Sequence, residues 1–367
     1  MLDARVARQR VHGGQQRWQR RDGVVLDFSV DVNPYGFPDS VRDAILSHVD
    51  DLQRYPDPEA GALRRLIAER HRLPCESVLP GNGSAELIPL IVQALRPTRA
   101  VVIAPTFTEY EWALECHGLE VRYVLTEERE GFALPDDEGA WAASIAGADL
   151  VFLCNPNNPT GTAVPQTTVR RLARYCEEAG ASLVVDEAFV EWTEEPSRIS
   201  VAPWVGESER LIVLRSLTKL FAVPGLRLGY LLAHPNLVER LRAYQSAWPL
   251  NTFALAVGEQ LLRESAYVER SRALVRQSSR DLFKGLRALP SCHPFPSTVN
   301  FVLSKLTAPH ATSSIVCRRL ADRGILIRNC DDFTGLEEGR FIRLAVRKPE
   351  DHARLLAALR EALSHVG

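Results

Sequence analysis

The chain has 367 residues, 46% of them hydrophobic and 25% charged, with a formal net charge of −2. That length can bury a substantial core in one large domain or two moderate ones, and the near-neutral balance gives no reason to expect nucleic acid or a membrane surface as a partner. No run approaches the ~20 apolar residues of a membrane span. The arginine-rich opening, residues 5–21, lacks the apolar core of a secretory signal and reads as a solvated arm. Seven scattered cysteines form no C-x-x-C pair, so neither a zinc site nor a disulfide framework is expected, no metal is assigned, and free thiols in a reducing cytoplasm are the reading.

Along the chain, short apolar runs alternate with helical spacing. Val101–Ala104 ends at Pro105, a helix is predicted over Tyr110 to His117, and Glu120–Leu125 reads as a strand. Leu150–Cys154 is followed by an Asn/Pro turn and a helix from about Thr168 to Gly180. Ser182–Val185, Leu211–Leu214 and Leu228–Ala233 continue the pattern. Uniformly apolar short strands between helices argue for a mainly parallel sheet covered on both faces, with ligands at the carboxyl ends of its strands. A long helical stretch, Pro235 to Leu289, breaks near Trp248-Pro249. The tail then reads as a small α+β unit, with strands at Asn300–Leu303, Ile325–Arg328 and Phe341–Ala345 and helices over 311–323 and 349–365.

Four segments follow predicted strands, where a site is expected. Gly81-Asn-Gly83-Ser84-Ala85-Glu86 opens an apolar helix, and free backbone N–H groups there attract an anion. Asn155-Pro-Asn-Asn158-Pro-Thr-Gly161 is, as bare sequence, only a turn. Asp186-Glu187-Ala188-Phe189 ends a strongly apolar strand; a carboxylate there can cap a helix or keep a pyridine nitrogen protonated. Lys219 lies just past a buried strand, between Ser216 and Thr218 on one side and Phe-Ala-Val-Pro-Gly on the other, with Arg227 eight residues on. Such apolar flanks favour the unprotonated amine that imine formation with an aldehyde needs.

In this order and spacing the four segments resemble the fold-type I pyridoxal 5′-phosphate (PLP) enzymes of the class I/II aminotransferase family, over nearly the whole chain. The resemblance implies an α/β fold: a large domain with a mainly parallel seven-stranded sheet covered by helices, plus a smaller α+β domain. It divides the chain into an arm (1–44), the PLP-binding domain (45–245) and the small domain (246–367). It implies that Lys219 bears the cofactor as a Schiff base and shuttles protons, that Asp186 partners the ring nitrogen, and that Asn158 meets the ring hydroxyl. Phe107 would stack on the ring, and the phosphate would lie against Gly83, Ser84, Ala85, Ser216 and Arg227. Tyr55 would reach in from a second subunit, which implies a homodimer, and Arg343 would clamp the substrate carboxylate. One departure is Phe189, where most aminotransferases of the family carry a tyrosine.

Within the family the nearest branch holds histidinol-phosphate aminotransferases and L-threonine O-3-phosphate decarboxylases, and several stretches resemble the decarboxylases. These are His12-Gly13-Gly14, the segment Leu26–Gly36 with Asn33, Glu109-Tyr-Glu111, and Ile325-Leu-Ile-Arg328-Asn-Cys330. The His-Gly-Gly opening favours the decarboxylases, which implies a phosphorylated amino-acid substrate met by His12, Asn33, Asn158, Arg328 and Arg343. The expected reaction is decarboxylation of L-threonine O-3-phosphate to (R)-1-aminopropan-2-yl phosphate, in cobalamin biosynthesis. Transamination of histidinol phosphate with 2-oxoglutarate is the alternative, and decarboxylation of phosphoserine, which lacks one methyl, is a third reading.

Overall fold

The structure, a computed structural model, describes residues 12–14, 25–135 and 138–364; the rest of the arginine-rich opening lies outside them. Its strands in chain order are β1 (Leu26–Asp27), β2 (Val78–Asn82), β3 (Ala100–Ala104), β4 (Val121–Leu125) and β5 (Leu150–Cys154). There follow β6 (Ser182–Asp186), β7 (Leu211–Ser216), β8 (Leu228–Ala233) and β9 (Cys292–Pro294). The last are β10 (Phe301–Leu306), β11 (Ile325–Leu326), β12 (Arg328–Asn329) and β13 (Phe341–Ala345).

Seven strands form one sheet in the order β2-β8-β7-β6-β5-β3-β4. Only β8 runs against its neighbours, so the sheet is mainly parallel, as expected. Both faces are buried, which is why the strands read as unbroken apolar runs. Leu150 and Phe152 point into one core with Leu87 and Ile91. Val151 and Leu153 point into the other with Leu183 and Val185. Along β5 and β6 the register pairs Leu153 with Val185 and Cys154 with Asp186, and β7 sets Leu214 beside Asp186. β5 and β6 therefore end level and β7 runs two residues further, to Ser216, so the loops that leave them start side by side.

A second sheet, β12-β13-β10-β9, is antiparallel. The predicted strand Ile325–Arg328 is in fact two: Ile325–Leu326 pairs in parallel with the incoming chain at Leu26–Asp27, and Arg328–Asn329 pairs with β13. The chain changes partner at Ile327, so one segment ties the N-terminal strand to the small sheet. Strand β9 went unpredicted because a Cys-His-Pro sequence lacks β-formers, and proline is tolerated there only because the strand is at the edge. The helical stretch resolves into Pro235–Arg242, Thr252–Leu261 and Ser265–Arg287.

Behind these strand ends lies a buried ion cluster. Arg215 Nε sits 2.9 Å from Glu187 Oε2 and its Nη1 3.2 Å from Glu191 Oε1, while Nη2 donates to Ser200 Oγ at 2.9 Å. The Nε contact lies off the N–H direction and makes no hydrogen bond. Burial pushes the Glu187 carboxyl up, against the pull of Arg215. Glu187 follows Asp186 and Arg215 precedes Ser216, so the cluster clips the two loops together. Arg215→Ala strands a fully buried carboxylate and is expected to cost about 3–5 kcal/mol in denaturant unfolding; a loss under about 1 kcal/mol would show that the pair is not holding the strand ends.

Candidate active site

The carboxyl ends of β5, β6 and β7 open on a cavity of about 400 Å³, lined also by the His12–Gly13 segment, by the helix Ser84–Leu95 and by the small sheet. Lys219, just beyond β7, projects its amine into it. Its Nζ lies 3.1 Å from Asp31 Oδ1, a carboxylate from the N-terminal segment. Burial opposes the charge on Asp31, but the Lys219 and Arg343 cations beside it outweigh that and hold the carboxyl below its usual range. This partner was not anticipated: Asp31 lies in a Ser-Val-Asp-Val-Asn run with no pattern of its own.

Asp186 closes β6 and is buried against the cavity. Its Oδ2 accepts from the Tyr110 hydroxyl at 2.7 Å, and its Oδ1 from the Ala188 backbone N–H at 3.0 Å. Burial pushes its carboxyl up, and these two donors and Lys219 pull the other way. Tyr110 is held in turn by stacking on Phe152, with ring centroids 4.9 Å apart. Phe107 meets Tyr110 edge-on at 5.7 Å and lines the cavity. Sequence reading missed Tyr110, although it lies three residues from Phe107 on the first turn of the helix Glu109–Cys116.

The helix Ser84–Leu95 starts at Gly83, which has a φ of +80° and caps it with no side chain. The first-turn N–H groups of Ser84 and Ala85 have no intrahelical acceptor. A Cβ on Gly83 would lie 2.6 Å from Arg227 Nη2, so glycine is what lets the guanidinium close on the helix start. Ser216, its hydroxyl 2.8 Å from that of Thr218, lines the same wall. Backbone donors, a hydroxyl and an arginine at a helix N-terminus make an anion cradle.

Arg343, on β13, is buried with its guanidinium over the Phe301 ring at 4.9 Å. It donates to Asn158 Oδ1 and, at 3.2 Å, to the Ser29 carbonyl, and pairs with Asp31 at 3.6 Å. Asn158 Oδ1 is thus engaged, and its amide nitrogen is left for a ligand in the cavity. Phe189 also lines the cavity, edge-on to Phe301 at 5.1 Å. Arg328, opposite Arg343 in the sheet register, pairs with Asp332 at 2.7 Å and lies 5.0 Å from the Phe333 ring centre. Two arginines opposite each other repel; here each has its own carboxylate.

His12 reaches the cavity wall, its Nε2 2.9 Å from Glu109 Oε1 and its ring 6.2 Å from Phe107. The glycines after it have a physical reason: a Cβ on Gly13 would lie 2.0 Å from the Ser29 carbonyl oxygen, and Gly14 N–H donates to Ser29 Oγ at 2.9 Å. Only a bare backbone can lie that close over Ser29.

Two anticipated residues are elsewhere in this chain. The Asn33 side chain is turned away from the cavity: its amide donates to Leu220 O and Tyr267 Oη at 2.8 Å and to Ser271 Oγ at 3.0 Å. Because Asn33 N–H also donates to Lys219 O at 3.0 Å, it fixes the main chain that carries Lys219. Tyr55 is 81% exposed and stacks on Trp248 at 4.6 Å, outside the cavity.

Comparison with known proteins is consistent across the chain. Threonine-phosphate decarboxylase of Salmonella typhimurium is 35% identical over 343 residues, 93% of this chain and 92% of that protein. Histidinol-phosphate aminotransferase of Desulfitobacterium hafniense is 33% identical over 348 residues, 93% of this chain and 92% of that one. The crystal structure of L-threonine-O-3-phosphate decarboxylase from Porphyromonas gingivalis superposes with a TM-score of 0.82 at 26% identity, covering 93% of this chain and all of that one. The cofactor of this fold-type I chain is pyridoxal 5′-phosphate, and the cavity fits it: an amine, a buried carboxylate, an amide donor, an aromatic ring and an anion cradle meet in one space. Residues 24–359 match the family described as aminotransferase class I and II, and the chain belongs to that family.

Proposed function

We propose that this enzyme decarboxylates L-threonine O-3-phosphate to (R)-1-aminopropan-2-yl phosphate, a precursor for the nucleotide loop of cobalamin. The observation that carries this reading is His12 in the cavity wall, on an arm whose Gly13 packs over Ser29. The likeness to threonine-phosphate decarboxylases supports it. The likeness to histidinol-phosphate aminotransferases keeps transamination of histidinol phosphate as the competing reading.

When bound, the cofactor supplies an electron sink for the pair left behind when a bond to the substrate's Cα breaks. The rest is the work of the chain's own residues. Lys219 carries the cofactor between turnovers and afterwards returns a proton to Cα. Asp186, to which Tyr110 and Ala188 donate, would be the counter-ion for the ring nitrogen, and the Asn158 amide would meet the ring hydroxyl. Phe107 would pack on the ring, and Ser84, Ala85, Ser216 and Arg227 would take the cofactor phosphate. His12 and Arg328 anchor the substrate phosphate, and Arg343 steers its carboxylate. Carbon dioxide leaves with the carboxyl carbon and both its oxygens, one proton goes back to Cα, and no oxo acid is consumed.

The same reading includes a homodimer. Supporting it, Leu46, Leu52, Tyr55 and Trp248 are large hydrophobic side chains exposed on this chain, and Tyr55 and Trp248 stack on each other. Tyr55 of one copy then completes the site of the other.

The deciding assay offers phosphothreonine alone, and separately histidinol phosphate with 2-oxoglutarate. Carbon dioxide release with no oxo-acid requirement is expected; glutamate formation in the second mixture without CO₂ in the first would sink the decarboxylase reading. Lys219→Ala should lose the visible absorbance of bound cofactor and at least about 100-fold in kcat, and an unchanged spectrum would reject Lys219 as the carrier. His12→Ala should raise KM for phosphothreonine about tenfold, the worth of one hydrogen bond to a charged group, with cofactor affinity unchanged. Normal turnover at low substrate would remove His12 from the anchor.

A further inference from the structure

Asp31 has no part in the scheme above, yet its carboxylate sits between two cations that the scheme uses. Its Oδ1 lies 3.1 Å from Lys219 Nζ and 3.6 Å from Arg343 Nη2. The residue is 4% exposed and lines the cavity. Asn300 Nδ2 holds its main-chain carbonyl at 2.7 Å, so the carboxylate is built into the wall. Around Arg343 the other partners are neutral: Asn158 Oδ1, the Ser29 carbonyl and the Phe301 ring. Arg343 Nε has no hydrogen-bond partner among the described residues.

We propose that Asp31 is a positioning residue that acts as a standing counter-ion for Arg343 and a docking point for the Lys219 amine, so that Arg343 cannot clamp a substrate α-carboxylate as a fully available cation. The inference rests on the decarboxylase reading. Two carboxylates sharing one guanidinium repel each other, so an α-carboxylate enters this site held by one arginine whose charge is already partly cancelled. A transaminating site has the opposite need: it keeps the carboxylate fixed while a proton is taken from Cα. A decarboxylating site must let that carboxylate leave. Its carbon and both oxygens depart as CO₂, the electron pair of the broken bond stays at Cα, and Lys219, parked beside Asp31, supplies the one proton that replaces it. The substrate's phosphate, anchored away from Arg343, then carries most of the binding.

The test is a ligand comparison on the PLP-loaded enzyme, wild type against Asp31→Asn, by titration calorimetry. One ligand is 3-(phosphonooxy)butanoate, which keeps the phosphate and carboxylate but has no amine to react. The other is isopropyl phosphate, which lacks the carboxylate as well. Asp31→Asn should bind the carboxylate ligand about tenfold more tightly, the scale of one unit charge removed at this separation, and isopropyl phosphate within about twofold of wild type. For phosphothreonine, KM and kcat should fall together, the mark of a carboxylate held too well. Equal or weaker binding of the carboxylate ligand, or the same change for both ligands, would overturn the proposal. Asp31→Ser carries the same comparison if the asparagine variant does not fold; loss of folding in both would overturn it too, making Asp31 a structural residue. Absence of CO₂ from wild-type enzyme would reject the decarboxylase reading alone, since the ligand pair reports on Asp31 whichever bond breaks.

Discussion

The site depends on a register. In the large sheet Cys154, Asp186 and Leu214 lie side by side, at the carboxyl ends of β5 and β6 and two residues before the end of β7. From that line the loops bearing Asn158, Phe189 and Lys219 leave together. A slip of one residue in any of the three would turn its side chains to the other face. The alternation that fills both cores, with Leu150 and Phe152 on one side and Val151 and Leu153 on the other, is what forbids the slip. Geometry at the cavity is therefore fixed by packing ten or more ångströms of strand behind it, and by the Arg215–Glu187 clip between two of the loops.

Charge inside the cavity is arranged in separate compartments. Asp186 faces its part of the wall with Tyr110 and Ala188 as donors, and burial works against its charge. Asp31 is held ionised by Lys219 and Arg343. Arg227, whose Nη1 donates to the Pro224 carbonyl at 3.2 Å, stands at the helix start, where Gly83 gives it room. Each group thus has the partner that suits a different portion of a bound cofactor or substrate. The small sheet contributes because Arg328 and Arg343 are register partners on adjacent strands, which brings two cations to one edge of the same space.

Much of this could be read from the residues. The mainly parallel sheet followed from apolar runs, because burial on both faces removes the polar alternation; its seven strands came from the family resemblance. Lys219, Asp186, Asn158 and Gly83 were legible through the family resemblance that their segments carry together, and the structure brings all four to one cavity. What escaped was what tertiary packing alone decides. Asp31 and Tyr110 carry no local signature; they matter through contacts 188 and 76 residues away in sequence. Asn33 was grouped with the substrate ligands, but three buried hydroxyl and carbonyl partners claim its amide. The split at Ile327 was invisible because no glycine or proline marks it; only the change of partner strand divides Ile325–Leu326 from Arg328–Asn329.

The central claim is that the cofactor sits on the lysine placed beside those strand ends. The chain has only four lysines, at positions 219, 284, 305 and 348, which makes the claim directly readable. Borohydride reduction of the PLP-loaded enzyme, followed by digestion and mass spectrometry of the peptides, locates the bond. The account predicts a single phosphopyridoxyl label, on the peptide containing Lys219. A label on Lys284, Lys305 or Lys348, or a Lys219 peptide recovered unmodified from fully loaded enzyme, would contradict it.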